Sequence, residues 1–407
     1  MDNDTTDTIL RRIDISFIVC LLAAAILRFY SAATTPQIEM EILEFIPSAE
    51  SISWSHLPIR DYQHPALPAY LIRASAELFG RSVIGYRILS IVAGLGLICL
   101  LYSIALRWWG RREALIAALL LSVNRYLIVT SARAIDLSFD LFFIAAAMWS
   151  FSRFLSGTQV ADQSGKESNG VQKTFDVSPA RWLYASALFI GLGFLCKEIT
   201  SLLVPVFFLT LLAGKTTRKW LWRREPYLAA VLFFIVISPD IFRNVLTPVK
   251  TQNPIYYMNY ADHLSRFAGF GLNEQPWLFY FGQGVEWLKI PHFKELGRMP
   301  FQHLVMGIAL WVAVLFATFR RRKDVLTTFL LIMFWSIFLF FSFIKTDLPT
   351  TRPNLQTDPR MWYWVDRTML AATLILSKEI VQWGKRSIFS LPLVGNPLGR
   401  KIPDKPE

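Results

Sequence analysis

The groups most able to do chemistry in this 407-residue chain are polar and charged side chains at the ends of apolar segments. They are Glu39, Glu41, His64, Asp136, Lys197, Asp240, Arg243 and Asn244. Ionisable groups at membrane depth are costly to desolvate, so they usually face protein or water. Carboxylates and histidine can transfer protons, and lysine and arginine can stabilise negative charge. A reactive site is therefore predicted where these side chains meet.

The apolar segments that must position these groups make up most of the chain. Hydrophobic residues are 54% of the sequence and charged residues only 18%, which leaves too little polar surface for a soluble protein. Several of ten apolar stretches approach the roughly 20 residues that span a bilayer. The ten are 15–27, 87–106, 114–130, 137–152, 182–195, 199–213, 227–242, 303–319, 325–344 and about 366–377. The sequence predicts an all-α, polytopic membrane protein of about ten transmembrane helices. A cleaved signal peptide is the alternative for the first stretch.

Lysine and arginine cluster in the short segments between these stretches, and the positive-inside rule assigns such clusters to the cytoplasm. The clusters are Arg107, Arg111 and Arg112, then Lys215, Arg218, Lys219, Arg223 and Arg224, and finally 320–323. With ten spans, these clusters and both termini lie on one face. The polar and charged groups that could do chemistry then share the opposite, non-cytoplasmic face.

This topology divides the chain into three predicted regions. They are a cytoplasmic N-terminal segment (1–13), a transmembrane core (14–382) and a basic cytoplasmic tail (383–407). The core contains a first outer loop (34–85), a cytoplasmic linker (155–181) and a second outer loop (243–302). Within the first outer loop, apolar residues recur at helical spacing at Leu67, Tyr70, Leu71, Ala74 and Leu78. This pattern predicts an interfacial helix lying along the membrane surface.

The net charge of +12 is explained by the cytoplasmic segments, where anionic lipid headgroups favour basic residues. Nucleic-acid binding is not expected, because the basic residues are spread over loops between spans. The cysteines, Cys20, Cys99 and Cys196, lie within or beside apolar spans. They are interpreted as small apolar residues and not as disulfides or metal ligands.

Each candidate residue also has a purely structural explanation. Glu39 and Glu41 could be solvated loop carboxylates. Asp136 begins a predicted helix, where a carboxylate favours the positive end of the helix dipole. Lys197 could extend to the membrane interface, and His64 precedes a proline and could belong to a turn. The set as a whole is harder to explain in this way than its single members.

Seven elements occur in an order that resembles a known family. They are Arg28 at the end of the first span, IEMEILEF at 38–45, HPAL at 64–67, LFGRS at 78–82 with YRIL at 86–89, SARAID at 131–136, GLGFLCK at 191–197 and PDIFRN at 239–244. The chain resembles the glycosyltransferase C superfamily, and within it the dolichyl-phosphate-mannose protein mannosyltransferases and the bacterial lipid A aminoarabinose transferases. The resemblance runs from about residue 15 to 250 and continues more weakly to the end.

The resemblance implies an integral-membrane glycosyltransferase that moves a sugar from a polyprenyl-phosphate donor to an acceptor on the non-cytoplasmic face. The acceptor, whether protein, lipid or glycan, stays open. Glu41 is the first choice for the general base and Glu39 the second. Asp136 is interpreted as a catalytic-site partner that orients Lys197 or Arg28. A divalent metal could lie between two carboxylates, although spacing alone does not demonstrate one.

The resemblance also implies how the donor is held. Lys197 and Arg243 are the candidates for binding its phosphate, and the donor pocket is expected to include His64, Arg28 and Asn244. The chain departs from the family pattern at three places. Its acidic element has no Asp beside Glu, Ala66 replaces a proline, and Asp240 replaces a tryptophan.

Two other functions stay open at this point. A transporter of lipid-linked sugars would also place charges in the membrane, but it would favour the midplane and internal repeats; no clear repeat is found. A catalytically inactive relative is the second alternative, because the expected Asp is missing. Compact loops favour a bacterial inner membrane with the site facing the periplasm over the endoplasmic reticulum.

Overall fold

The computed structural model of the chain describes residues 14–38, 41–52, 65–164, 178–246, 271–272, 300–320, 324–345 and 359–390. Numbered in chain order, the helices are α1 (Ile15–Thr34), α2 (Ile46–Glu50), α3 (Leu67–Phe79), α4 (Val83–Trp108), α5 (Arg111–Val123), α6 (Arg125–Ser131), α7 (Asp136–Ser164), α8 (Ala180–Phe194), α9 (Leu203–Ala213), α10 (Lys215–Arg218), α11 (Glu225–Leu246), α12 (Pro300–Phe319), α13 (Val325–Phe343) and α14 (Pro359–Ser390). A π-helical turn, Glu41–Phe45, precedes α2, and 3₁₀ turns cover Glu198–Leu202 and Lys219–Trp222.

Extended structure in the described part is a two-residue pairing. Strand β1 (Gly271–Leu272) runs antiparallel to β2 (Ile344–Lys345). The predicted all-α membrane fold is therefore confirmed. A helix coincides with each of the ten apolar stretches.

The number of membrane crossings is a separate question from the number of helices. Within the described residues, three helices are long and apolar enough to cross a bilayer: α1, α4 and α7 up to Val160. The count rises to five if each of two bent pairs is one span, with bends of 61° between α5 and α6 and 108° between α9 and the segment Lys215–Trp222. Helix α8 and the apolar parts of α12 and α13 are shorter. The predicted count of ten stays a prediction.

The core of the bundle is built from aromatic rings and small side chains. Phe151 of α7 stacks on Phe207 of α9 with ring centroids 4.0 Å apart, and it contacts Phe329 of α13 at 5.1 Å. Offset aromatic contacts of this kind add stability beyond the buried area. Glycine allows α8 and α11 to approach closely, because a Cβ at Gly191 would lie 2.7 Å from Cγ1 of Val236.

The two ends of the helices differ in charge. Helix α4 carries Arg87 near its start and Arg107 near its end, and α7 begins at Asp136 and carries Arg153 much later. Helix α8 begins beside Arg181 and ends just before Lys197. Asp136 and Lys197, two predicted site residues, therefore lie at the opposite ends of α7 and α8 from Arg153 and Arg181.

The helix predicted in the first outer loop is present as α3, and its placement along the membrane surface stays a prediction. Its buried residues are Pro68, Ala69, Ile72, Ser75 and Ala76. Of the apolar residues that indicated the helix, Leu67, Tyr70 and Leu71 are partly buried and pack against a cluster that includes Ile72, and Leu78 is 71% exposed. The helix therefore packs on the bundle with most of these apolar residues and exposes the last one.

Helix α7 runs to Ser164, beyond the start of the predicted linker at 155. Leu155 and Thr158 are buried, and the Thr158 hydroxyl donates to the carbonyl of Leu155. Tertiary packing thus outweighs the low helix propensity of the Gly- and Ser-containing sequence. The second predicted outer loop likewise begins within α11, which continues to Leu246.

Candidate active site at one end of the bundle

Lys197 lies in the break between α8 and the next 3₁₀ turn, where the chain becomes extended. Its backbone N–H donates to the carbonyl of Gly193 at 2.7 Å. Its ammonium lies 2.6 Å from the carboxylate of Asp136, and both side chains are at least nine-tenths buried. Lys197 therefore does not extend to the interface, and the expected contact between these two residues is present. The positive charge of Lys197 is compensated by this contact.

A second buried carboxylate lies one helical turn further along α7. Asp140 accepts hydrogen bonds from the hydroxyl of Thr200 and from the guanidinium of Arg367 on α14. Asp140 and Arg367 are both almost fully buried. Sequence reasoning missed this pair, although a charged residue inside each of two predicted spans was a usable signal.

Glu41 is fully buried and lies in the π-helical turn. Its carboxylate accepts four hydrogen bonds, from Nε and Nη2 of Arg87 at 2.9 and 2.7 Å and from the backbone N–H groups of Ala134 at 2.8 Å and Ile38 at 3.1 Å. A carboxylate has about four acceptor positions, so those of Glu41 are filled. In this conformation Glu41 has no acceptor position left for a substrate hydroxyl.

The guanidinium of Arg87 contacts the end of α1 as well as Glu41. It also donates to the carbonyls of Ala32 and Thr35, at 2.7 and 3.0 Å, at the end of α1. The Glu41–Arg87 pair thus joins α1, the π-helical turn, α4 and the turn before α7. This geometry supports a structural role, and the catalytic role of Glu41 stays a prediction.

Arg28 is also fully buried, and its contacts are with backbone carbonyls. It donates to Ala24 at 3.1 Å and to Leu121 and Ser122 at 3.5 Å each. Leu121 and Ser122 come just before the bend between α5 and α6, where helical carbonyls lose their partners. Arg28 therefore supports this bend, and its predicted place in the donor pocket is not tested by these contacts.

Arg133 lies in the turn between α6 and α7 and is half-buried. It interacts electrostatically with Glu41 and Arg87, and burial lowers its pKa from the ordinary value. Among the described residues its guanidinium forms no ion pair or hydrogen bond, and its Nε is buried. Among the residues that the structure describes, Arg133 is thus a cation near the Glu41–Arg87 pair without a carboxylate bonded to it.

The remaining predicted residues are only partly described. Glu39 and His64 lie outside the described residues, and Arg243 and Asn244 belong to the last turns of α11. Asp240, on the same helix, is buried. No group of three or more His, Cys, Asp or Glu side chains suited to a metal is found in the described ranges. The predicted metal stays a prediction.

Comparisons with known proteins find similar sequences and folds. A family model described as dolichyl-phosphate-mannose-protein mannosyltransferase matches residues 63–163 and 174–242, which include Asp136 and Lys197. A curated relative from Proteus mirabilis, undecaprenyl phosphate-alpha-4-amino-4-deoxy-L-arabinose arabinosyl transferase 2, is 24% identical over 316 residues. These matches confirm the predicted resemblance to the glycosyltransferase C superfamily. The chain is matched over 75% of its length and spans about half of that relative, 50%.

Solved structures share the fold of this chain. ArnT from Cupriavidus metallidurans, bound to undecaprenyl phosphate, has a TM-score of 0.57 and 19% identity, with 93% of this chain and 63% of that one covered. The oligosaccharyltransferase of Archaeoglobus fulgidus in the apo form has a TM-score of 0.51 and 13% identity, covering 92% and 51%. At these identities the likeness shows a common membrane fold.

Proposed function

We propose that the chain is an integral-membrane glycosyltransferase that moves a sugar from a polyprenyl-phosphate donor to an acceptor hydroxyl on the non-cytoplasmic face. The observation that carries the proposal is the buried Lys197–Asp136 pair at one end of a glycosyltransferase C bundle. A polyprenyl tail stays in the bilayer and its phosphate at the interface. Reactive groups at helix ends suit a donor of this shape. The names of the Proteus relative and of the Cupriavidus structure refer to the same kind of lipid.

Holding the donor phosphate requires a cation that is not already neutralised. Lys197 is compensated by Asp136, and Arg87 by Glu41. Arg133 has no such partner among the described residues, so we add it to Lys197 and Arg243 as a phosphate-binding residue. A charge pair about 4 Å apart is worth on the order of 4 kcal/mol at the effective dielectric of a protein surface. An uncompensated arginine can therefore select an anionic donor.

In the proposed reaction the acceptor oxygen attacks the anomeric carbon of the sugar. The bond from that carbon to the phosphate oxygen breaks, its electron pair stays on the phosphate, and the hydroxyl proton moves to a carboxylate. Lys197 stabilises the charge that develops on the departing phosphate. His64 and Asn244 are proposed to line the donor pocket with Arg28.

The carboxylate that accepts the proton is Glu41 or Glu39. Glu41 can do so only after one of its four donors withdraws, because its acceptor positions are filled. If Glu39 is the base, Glu41 instead holds the turn that follows Glu39. A divalent metal at these carboxylates would be revealed by loss of transfer on chelation and its return when Mg²⁺ or Mn²⁺ is added.

The test is a transfer assay on the purified chain in lipid, with a set of polyprenyl-phosphate sugars radiolabelled in the sugar and a pool of protein, lipid and glycan acceptors. Transfer of label to an acceptor, with release of polyprenyl phosphate, is expected for at least one donor. Arg133→Gln should raise the KM for the donor about tenfold, as for the loss of a hydrogen bond to a charged group. Its thermal stability should be unchanged, since no bonded partner of the arginine is found in the described part of the chain. Arg112→Gln, an exposed arginine at the opposite end, is the matched control.

Two results would count against this function, and a third would count only against the role of Arg133. A chain inactive with every donor, although folded, would favour the inactive relative. Labelling of cysteines at positions 41 and 197 from both sides of the membrane would favour a transporter. An unchanged donor KM in Arg133→Gln would remove Arg133 from the phosphate site while leaving the transfer reaction itself intact.

A further inference from the structure

A groove lies at the other end of the bundle, between α9 and α13. Its volume is about 570 Å³, within the range of about 300–1,000 Å³ typical of ligand sites. Its walls are mainly apolar, and they include Leu209, Leu212, Leu331, Trp335 and Leu339. Leu209, Leu212 and Leu339 are each more than two-fifths exposed. The groove therefore opens toward the side of the bundle.

Three polar side chains of the wall bond within the protein. The indole N–H of Trp335 donates to the hydroxyl of Thr318 at 3.0 Å, and that hydroxyl donates to the carbonyl of Val314. The hydroxyl of Thr328 donates to the carbonyl of Asp324. A hydrocarbon chain would therefore leave the hydrogen bonds of these three groups intact.

The length of the groove matches one leaflet of a membrane. Along α13 it extends from Thr328 to Leu339. At about 1.5 Å per residue this distance is about 16 Å. Half of a hydrocarbon core about 30 Å thick is about 15 Å. A single lipid chain from one leaflet would therefore fill the groove from end to end.

Arg218 lies at the rim of this groove in a fixed position. Its Nε donates to the carbonyl of Leu212 at 2.9 Å, and in the described part of the chain it forms no ion pair. The sharp bend before it is held by Thr217, whose hydroxyl contacts the carbonyls of Leu211 and Gly214. A Cβ at Gly214 would lie 2.4 Å from that hydroxyl, so the bend depends on glycine.

We infer that this groove binds one anionic phospholipid, with its headgroup phosphate on Arg218 and one acyl chain along α13. Lys215, Arg223 and Arg224 lie in the same segment as Arg218, and the positive-inside rule assigns this segment to the cytoplasmic leaflet. That leaflet carries anionic lipids that attract such residues. The guanidinium suits a phosphate because it can donate two parallel hydrogen bonds. The site is independent of the proposed glycosyltransferase chemistry.

The test is native mass spectrometry of the delipidated full chain, titrated with phosphatidylglycerol and separately with phosphatidylcholine. One molecule of phosphatidylglycerol should bind to each chain, and its affinity should be higher than that of phosphatidylcholine. Arg218→Gln should weaken that binding on the order of tenfold, the loss expected for hydrogen bonds to a charged group, and should abolish the preference. Ala213→Phe, at an exposed position of the groove wall, should weaken the binding of both lipids. Arg224→Gln removes one charge from the same segment outside the groove, and it should not change the affinity for either lipid.

Other outcomes would overturn the inference. Equal losses of phosphatidylglycerol affinity in Arg218→Gln and Arg224→Gln would indicate diffuse electrostatic attraction. Displacement of phosphatidylglycerol by undecaprenyl phosphate, one for one, would assign the groove to an isoprenoid. A dimer that excludes lipid would assign it to a second copy of the chain.

Discussion

Replacing Glu41 by Gln separates the two roles that this residue could have. The Glu41 carboxylate and the Arg87 guanidinium are both fully buried and lie 2.7 Å apart. Glutamine keeps one acceptor oxygen but places an amide donor against a donor, and it leaves a buried cation without a counter-charge. Removing one partner of a buried ion pair costs about 3–5 kcal/mol. We therefore expect Glu41→Gln to lose about 3 kcal/mol of stability, whatever it does to activity.

The double variant Glu41→Gln, Arg87→Met removes both charges. Replacing a whole buried pair is far less costly than breaking it, although the carbonyls of Ala32 and Thr35 lose their donor. The double variant should regain part of the lost stability. Glu50→Gln is the matched control, because its partners Arg73 and Arg81 form partly exposed ion pairs that contribute about 0–1 kcal/mol.

Thermal unfolding in detergent measures the stability, and donor turnover well below the unfolding temperature measures activity. If Glu41 is structural, the double variant regains turnover along with stability, and Glu39→Gln abolishes it. If Glu41 is the base, the double variant regains stability only. The reasoning from burial would be refuted if Glu41→Gln alone unfolded at the temperature of the unmodified chain.

Three further predictions rest on other contacts. Asp136→Asn should leave its lysine partner uncompensated, tighten binding of the product polyprenyl phosphate and lower kcat, as product-inhibition kinetics would show. Arg111 lowers the pKa of Asp14 from 3.8 to about 2. A depressed carboxyl pKa adds stability above pH 3.8 that is lost as pH falls toward 2, and Asp14→Asn should flatten this acid limb in thermal unfolding. Gly94→Ala places a Cβ 2.5 Å from that of Ser131 and should cost about 1–3 kcal/mol by thermal or chemical unfolding.

The helices and one of the ion pairs could be read from the sequence. Apolar stretches of near-membrane length predict helices because an isolated chain in lipid must satisfy its backbone hydrogen bonds internally. The family resemblance predicted that Asp136 orients Lys197 or Arg28, and in the structure its partner is Lys197. Local patterns and topology are enough for inferences of this kind.

The state of Glu41 could not be predicted in the same way. Two of its four donors are backbone N–H groups, and that of Ala134 lies 93 positions along the chain. Nearly every residue has a backbone N–H, so residue type does not show which ones donate to Glu41. The filling of its acceptor positions can therefore be recognised only once the fold is known. The Asp140–Arg367 pair spans 227 positions, and choosing between partners at that distance requires the packing of α14.

Among the described residues, Lys197 forms an ion pair and Arg133 does not, and this difference predicts different kinetic roles for the two cations in the proposed site. A donor phosphodiester carries one negative charge, and the departing phosphate gains a second as the glycosidic bond breaks. An interaction equally strong before and during the reaction lowers KM without raising kcat. Arg133, which needs no rearrangement to meet an anion, fits that role. Lys197 must exchange Asp136 for phosphate, and this exchange becomes favourable only as the second charge develops. The compensated lysine is therefore suited to accelerate bond breaking, and the uncompensated arginine to retain the donor.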